Sequence, residues 1–447
     1  MSSADTLSPI DAEHRIFGLP SYILMWWSSL IVIQAFVLGQ GFLPPNGSLN
    51  LLQALVVVVV ANFLFIVLFS LNGRPGMRYG IPFSIQVRAG FGVRGAKLAE
   101  FLRAMPAIIW YGIGSWIAAG SFDSIIQTLT GFSEPWTVYA YFVLFQVLQS
   151  YLAWRGIHAL KWFNGIGSLV IAAIMVYLLI TIIEKEGLVL KESWYHEGSW
   201  GVPFWVALTA AIGVLATVML NIGDISRHLK PSETRLWLGH AAGLAPPWFF
   251  MLGLGIISGA SLGIWDPVEA LVALSPSTTA MLVLLSFVLL AQFTTNLSIN
   301  ILPPAMIFME AFKTSWHKSV VLTGVLGVVS CPWILLGNAG AFFGFILYYS
   351  AFFGPILGVM LADYYVVNRG RLDVDALYDV SERSSYWFSG GLNWAGLLAV
   401  IIPAIAAMLM FLHVSWLVGL PAGFLLYLVF YRAFYGRADT TALPQDA

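Results

Sequence analysis

Residues 49–70 read LNLLQALVVVVVANFLFIVLFS and contain no charge. A helix needs roughly 20 mainly apolar residues to cross the hydrocarbon core of a bilayer. This stretch has that length and nothing in it that water must solvate. Working outward in both directions, the pattern recurs. Apolar runs fall near 20–44, 49–70, 98–130, 136–154, 162–183, 203–223, 236–262, 278–307, 319–336, 340–366, 392–412 and 415–431. The third and eighth runs are long and must tilt or bend. Of the 447 residues, 59% are hydrophobic and 10% are charged. Soluble domains carry about 25% charged residues. With so little polar surface the chain must take the bilayer as its solvent, and the expected fold class is an all-α integral membrane protein of about twelve transmembrane helices.

Charge tests that count independently, because Lys and Arg accumulate in cytoplasmic loops. With the N-terminus placed inside, 19 of the 21 Lys and Arg fall on the inner side. Only Lys185 and Lys191 fall outside, in a loop that also holds Glu184, Glu186, Glu192 and Glu197. A missed span would flip every later loop and spoil this sorting. The prediction is therefore a multi-pass protein of the inner (plasma) membrane with both termini cytoplasmic. The first 19 residues are polar and the run after them is too long for a signal peptide's apolar core, so no cleavable signal is expected. The net charge of −1 gives no electrostatic argument for nucleic acid. The single cysteine, Cys331, excludes an internal disulfide or a cysteine metal site.

Ionisable residues are scarce at mid-membrane depth. Asp224, Glu310 and Asp363 sit near inner ends of spans and Asp123 near an outer end. Such residues are normally the first functional suspects. Their scarcity argues for a neutral, hydrogen-bonding, planar substrate. The densest polar cluster is Thr294-Thr295-Asn296-Leu297-Ser298-Ile299-Asn300 in the eighth run. Asn296 and Asn300 share a helix face. The Thr294 and Thr295 hydroxyls suit a hard cation such as sodium; equally, such residues bond between helices. The first run holds Gln34 and Gly39-Gln40-Gly41; the sixth holds Gly213, with Asn221 and Gly223 near its inner end. Polar and glycine interruptions at corresponding places in two halves point to broken helices around a central site, although isolated glycines also serve helix packing. In the third run, Trp110 stands beside Tyr111-Gly112 and Gly114, where its ring could wall a planar ligand or simply pack.

Four stretches resemble the nucleobase:cation symporter-1 family. They are Tyr79-Gly80-Ile81-Pro82-Phe83 with Arg88-Ala89-Gly90-Phe91-Gly92-Val93-Arg94-Gly95; Trp110-Tyr111-Gly112 with Trp116; Thr294-Thr295-Asn296 with Asn300 and Pro303; and Gly354-Pro355, Asp363-Tyr364-Tyr365-Val366-Val367 with Arg369, Leu377-Tyr378 and Gly391-Leu392-Asn393-Trp394. The resemblance implies a leucine-transporter-type fold: a five-plus-five inverted repeat and two C-terminal helices. Its divisions would be a tail at 1–19, repeats at 20–183 and 203–366, helices eleven and twelve at 392–431, and a tail at 432–447. It further implies a stacking Trp110, a substrate-binding Asn300, and sodium ligands at Ala291, Thr294 and Thr295 with backbone carbonyls near Ser28 and Ile31.

Two positions depart from the hydantoin-type pattern. Gly114 stands where that pattern has a Gln, and Leu215, just after Gly213, stands where it has a second Trp. Gln34 or Gln40 could replace the missing amide. The implied function is secondary active import of a small neutral nucleobase-like heterocycle, such as cytosine, uracil, another purine or pyrimidine, or an allantoin- or hydantoin-like ring. Sodium is preferred over a proton as coupling ion, because no carboxylate lies in the cluster. The alternative is a proton-coupled permease of the same family for a non-nucleobase substrate. A monomer without cofactor is expected. A membrane enzyme would need a His, Cys or paired-carboxylate constellation, which His228, His240 and Asp224 do not suggest.

Overall fold

In a computed structural model, residues 7–155, 173, 176–177, 179–184 and 192–436 are described. The fifth predicted run, 162–183, lies largely outside them. Among the described residues the chain is helical, with two isolated bridges and no extended strand. Five helices are long and apolar enough to cross a membrane, and a pair bent by 55° (Leu19–Leu30 and Ile33–Gln40) makes a sixth. Three shorter apolar helices, Val202–Gly213, Trp316–Val329 and Trp394–Met410, overlap other predicted runs. So do Ala96–Thr130 and Thr137–Arg155, whose aromatic, hydroxyl and amide side chains dilute their apolarity.

Local chemistry sets the helix ends. Asn50 accepts from the Gln53 N–H and Gln53 returns the bond to the Asn50 backbone, a capping box that starts Leu51–Tyr79. Gly80 ends that helix in the left-handed conformation at φ 73°, where a side chain would strike the Ile10 carbonyl. Ser277, Asn338 and Asn393 start the eighth, tenth and eleventh spans with side chains that accept a backbone N–H of the first turn. Several helix ends lie beyond the predicted runs, the second span continuing past 70 to Tyr79. The first helix begins at Leu19, inside the expected tail, and the last runs on to Tyr435 because nothing breaks it before Gly436.

The first span is broken, but not at its glycines. The helix stops at Leu30 and restarts at Ile33, within a run of β-branched residues that give weak helical support. Gly39 serves the close approach of two backbones instead. A Cβ there would strike the Leu252 carbonyl in the seventh span, and one at Gly255 would strike the Phe36 carbonyl. Gly259 lies one turn beyond, where a Cβ would sit 2.6 Å from the Gln40 carbonyl. Small residues let membrane helices touch along their backbones. Gly255→Leu is therefore expected to prevent stable folding, read as loss of the monodisperse peak on fluorescence-detected size exclusion. A normal peak with an unchanged melting temperature would contradict this packing. The sixth span breaks where expected, with Val214 and Leu215 between Val202–Gly213 and Ala216–Leu220.

Motifs far apart in sequence dock on each other. The Arg94 N–H donates to the Gly391 carbonyl at 2.8 Å and the Asn393 N–H to the Phe91 carbonyl at 2.9 Å. Gly92, at φ 80°, leaves room for that approach. The N-terminal segment closes the same end of the bundle. Phe17 exchanges backbone bonds with His228 and Lys230 at 2.9 Å each, and the Arg15 guanidinium donates to the Met77 carbonyl.

Candidate functional site

The two helix breaks frame the site. At the first, the last turn of Leu19–Leu30 leaves the regular hydrogen-bond ladder, as every helix end does. Ile31 lies in the break itself; Ser28 lies one turn earlier, its hydroxyl donating to the Met25 carbonyl at 2.7 Å. At the second break, the Gly213 carbonyl accepts from the Tyr349 hydroxyl at 2.9 Å. A side chain on Gly213 would meet Ile346 and Ser350, so this glycine lets the tenth span pack against the break. Leu215 is buried beside it.

The eighth span supplies the polar line. It runs as a helix over Thr278–Thr295, widens into a π-helical turn at Asn296–Ile301, and resumes at Leu302–Phe312. Pro303 and Pro304 lack the N–H groups that would bond back to the preceding turn, which favours the wider ladder. Asn296 is fully buried. Its Nδ2 donates to the Tyr111 carbonyl at 3.2 Å and to the Ser115 hydroxyl at 3.3 Å. Its Oδ1 accepts from Asn300 Nδ2 at 2.9 Å. One turn earlier, Gln292 Oε1 accepts from Gln34 Nε2 at 2.8 Å. That bond joins the first and eighth spans three residues after Ile31 and one after Ala291. Thr294 donates its hydroxyl to the Ala291 carbonyl at 3.0 Å, so two of the proposed cation oxygens are neighbours.

Trp110 is 5% exposed and lies edge-on to Phe342 and Phe345 of the tenth span. Its Nε1 has no hydrogen-bond partner of normal geometry, although Tyr349 lies close enough to interact with it. The rest of the Trp110 motif turns elsewhere. The Tyr111 hydroxyl donates to the Gln146 carbonyl at 2.8 Å, Gly112 packs on the ninth span, and Trp116 joins Tyr139, Phe142 and Trp333. Gly114, one turn from Trp110, is not a hole. A Cβ there would lie 2.6 Å from Asn296 Oδ1 and 2.9 Å from Gln292 Oε1. The space beside Gly114 is filled by amides from another helix. Gln34 belongs to this group; Gln40 does not, since its Nε2 donates to the Ile264 carbonyl at 3.0 Å. Gln292 was not singled out by sequence because a lone glutamine in an apolar run signals nothing until its neighbours are known.

The suspect carboxylates bind other parts of the chain. Asp224 accepts from the Phe83 N–H at 2.8 Å and Asn221 Nδ2 at 3.0 Å. Asp363 accepts from the Tyr427 hydroxyl at 2.7 Å and Asn368 Nδ2 at 2.9 Å. Asp123 accepts from Thr137 at 2.5 Å. His240 lies between the Tyr22 and Ser70 hydroxyls at 2.8 and 2.9 Å, bracing three spans. None of these joins the amide line.

Among the described residues, a helical bundle with two broken spans around a neutral polar line is the architecture of a multi-pass membrane transporter. The inward-facing conformation of Mhp1 superposes with a TM-score of 0.86 at 25% identity, over 97% of this chain and 95% of that one. The purine-uracil permease NCS1 of Arabidopsis thaliana is 30% identical over 92% of this chain and 71% of its own length. The hydantoin permease of Microbacterium maritypicum is 26% identical over 94% and 87%. The sequence profile for permeases of cytosine/purines, uracil, thiamine and allantoin matches residues 9–431, and the chain belongs to that family. The nucleobase:cation symporter-1 resemblance and the leucine-transporter-type fold expected from sequence are thus both found.

Proposed function

We propose that the protein imports a small neutral nucleobase-like heterocycle by cation symport, with sodium as the coupling ion. The observation that carries this is the setting of Trp110. Trp110 lies on the same helix face as Gly114, which borders a line of amides, and among the described residues no carboxylate takes part in that line's hydrogen bonds. A ring can stack on the indole and spend its hydrogen bonds on amides. Permeases of the family act on such rings, and two relatives are named for purine-uracil and hydantoin transport.

The cation site is assigned to Ala291, Thr294 and Thr295 of the eighth span and carbonyls around Ser28 and Ile31 of the first. We assign the two repeats to 20–183 and 203–366, and both termini to the cytoplasm of a cell whose inner membrane holds the protein as a monomer. The ion bound between spans one and eight favours ring binding, and by reciprocity the ring favours the ion. Thr295→Ala is expected to raise the sodium concentration needed for half-maximal uptake by about ten-fold while leaving substrate preference unchanged. Flux of radiolabelled uracil, hydantoin and allantoin into proteoliposomes, with and without a sodium gradient, tests the whole assignment. Uptake that ignores sodium and collapses with the proton gradient would transfer the coupling to protons.

A further inference from the structure

We propose that Gln292, paired with Gln34, carries the substrate-facing amide that the third span lacks at Gly114, and that the pair grips a ring edge offering an N–H and a C=O together. This inference rests on the transport reading above. Gln292 is 1% exposed, and among the described residues its one hydrogen bond is the one it accepts from Gln34. Gln34 Oε1 is buried and has no partner. Each amide has a donor end and an acceptor end. The bond between them uses one donor and one acceptor, which leaves one NH2 group and one C=O group of the pair with no bond. Turning both amides over exchanges which residue presents which group but leaves the same pair of unmet needs, so the conclusion does not depend on how the amide atoms are assigned.

Buried amides left unpaired are costly, so a ligand that completes both is favoured over one that completes neither. The two amides stand next to Gly114, one turn from Trp110, where a Cβ would already crowd Gln292. A glutamine at position 114 and Gln292 would therefore compete for one space. A glutamine at position 114 and Gln292 would present the same group from opposite helices. A lactam or ureide edge, with N–H and C=O on adjacent ring atoms, is the complement to what the pair presents. An N-alkylated ring loses the donor and adds bulk at the same point.

The test uses purified full-length protein in detergent, titrated with uracil, cytosine, hypoxanthine, hydantoin and allantoin by intrinsic tryptophan fluorescence. Whichever ring binds is then compared with its N-methyl derivative. The wild type is expected to prefer the unmethylated ring by ten-fold or more. Gln292→Leu is expected to weaken that ring by ten-fold or more and to bring the two affinities together. Gln292→Leu that binds and discriminates like the wild type overturns this inference and leaves the transport reading standing. A wild type that binds none of the five rings overturns both. Should Gln292→Leu fail to give a monodisperse peak, Gln34→Leu breaks the pair from the other side. It is expected to lose the same discrimination, and retained discrimination there also overturns the inference.

Discussion

Asn300→Ala is expected to lower uptake at least a hundred-fold while the protein still inserts and purifies normally. Asn300 sits at the end of a chain of bonds that begins at a fixed group. The Tyr111 carbonyl can only accept, so Asn296 must turn Nδ2 towards it. Asn296 then offers Oδ1 to Asn300, and Asn300 must spend its Nδ2 there. Besides the second hydrogen of Nδ2, what Asn300 keeps for a ligand is its carbonyl oxygen. A ring N–H would complete it. Removing the amide deletes that acceptor and strands Asn296 Oδ1 in a buried place, and an unmet buried polar group costs about 1–3 kcal/mol. In the loaded site the ring N–H then also lacks its acceptor, and a loss near the top of that range, about 3 kcal/mol, corresponds to a hundred-fold or somewhat more. Initial uptake rates in proteoliposomes, normalised to inserted protein, check this. Unimpaired transport by Asn300→Ala would remove the eighth span from the substrate site.

Trp110→Ala is expected to lose uptake to a similar extent, whereas Trp110→Phe keeps part of it. Stacking of a base on an aromatic side chain contributes about 1–3 kcal/mol. Alanine removes the whole face, and it also leaves a void against Phe342 and Phe345 that the tenth span must collapse into. Phenylalanine restores a smaller face and fills most of the void. The ordering wild type, then Phe, then Ala, measured as substrate affinity, separates stacking from generic packing. Equal affinities for the Phe and Ala variants would mean that the indole does not face the ring.

Much of this was legible in the chain itself. The apolar runs located the spans because hydrocarbon admits no unpaired backbone and few charges, a demand each segment must meet alone. The break in the sixth span followed from Gly213. The polar cluster from Thr294 to Asn300 was visible because polar residues stand out against an apolar background. The first-span break was not legible at its true place. Gly39 and Gly41 looked like interruptions, but a glycine that relaxes a helix and a glycine that admits a neighbouring backbone have the same letter. Only the position of Leu252 and Phe36 decides between them.

The stretch 49–70 and its counterparts thus determined by themselves that the protein lives in a bilayer and roughly how many times the chain crosses it. These depend on the solvent, which acts on every residue separately. The tertiary structure alone decided what the absent glutamine at Gly114 means. In sequence it is a deletion. In space the gap is filled by Gln292 and Asn296, which lie nearly two hundred residues away, and Gln34 joins them from a third helix. A hydrogen-bond partner is fixed by distance and direction, and no local pattern in a chain records which distant side chain will arrive there.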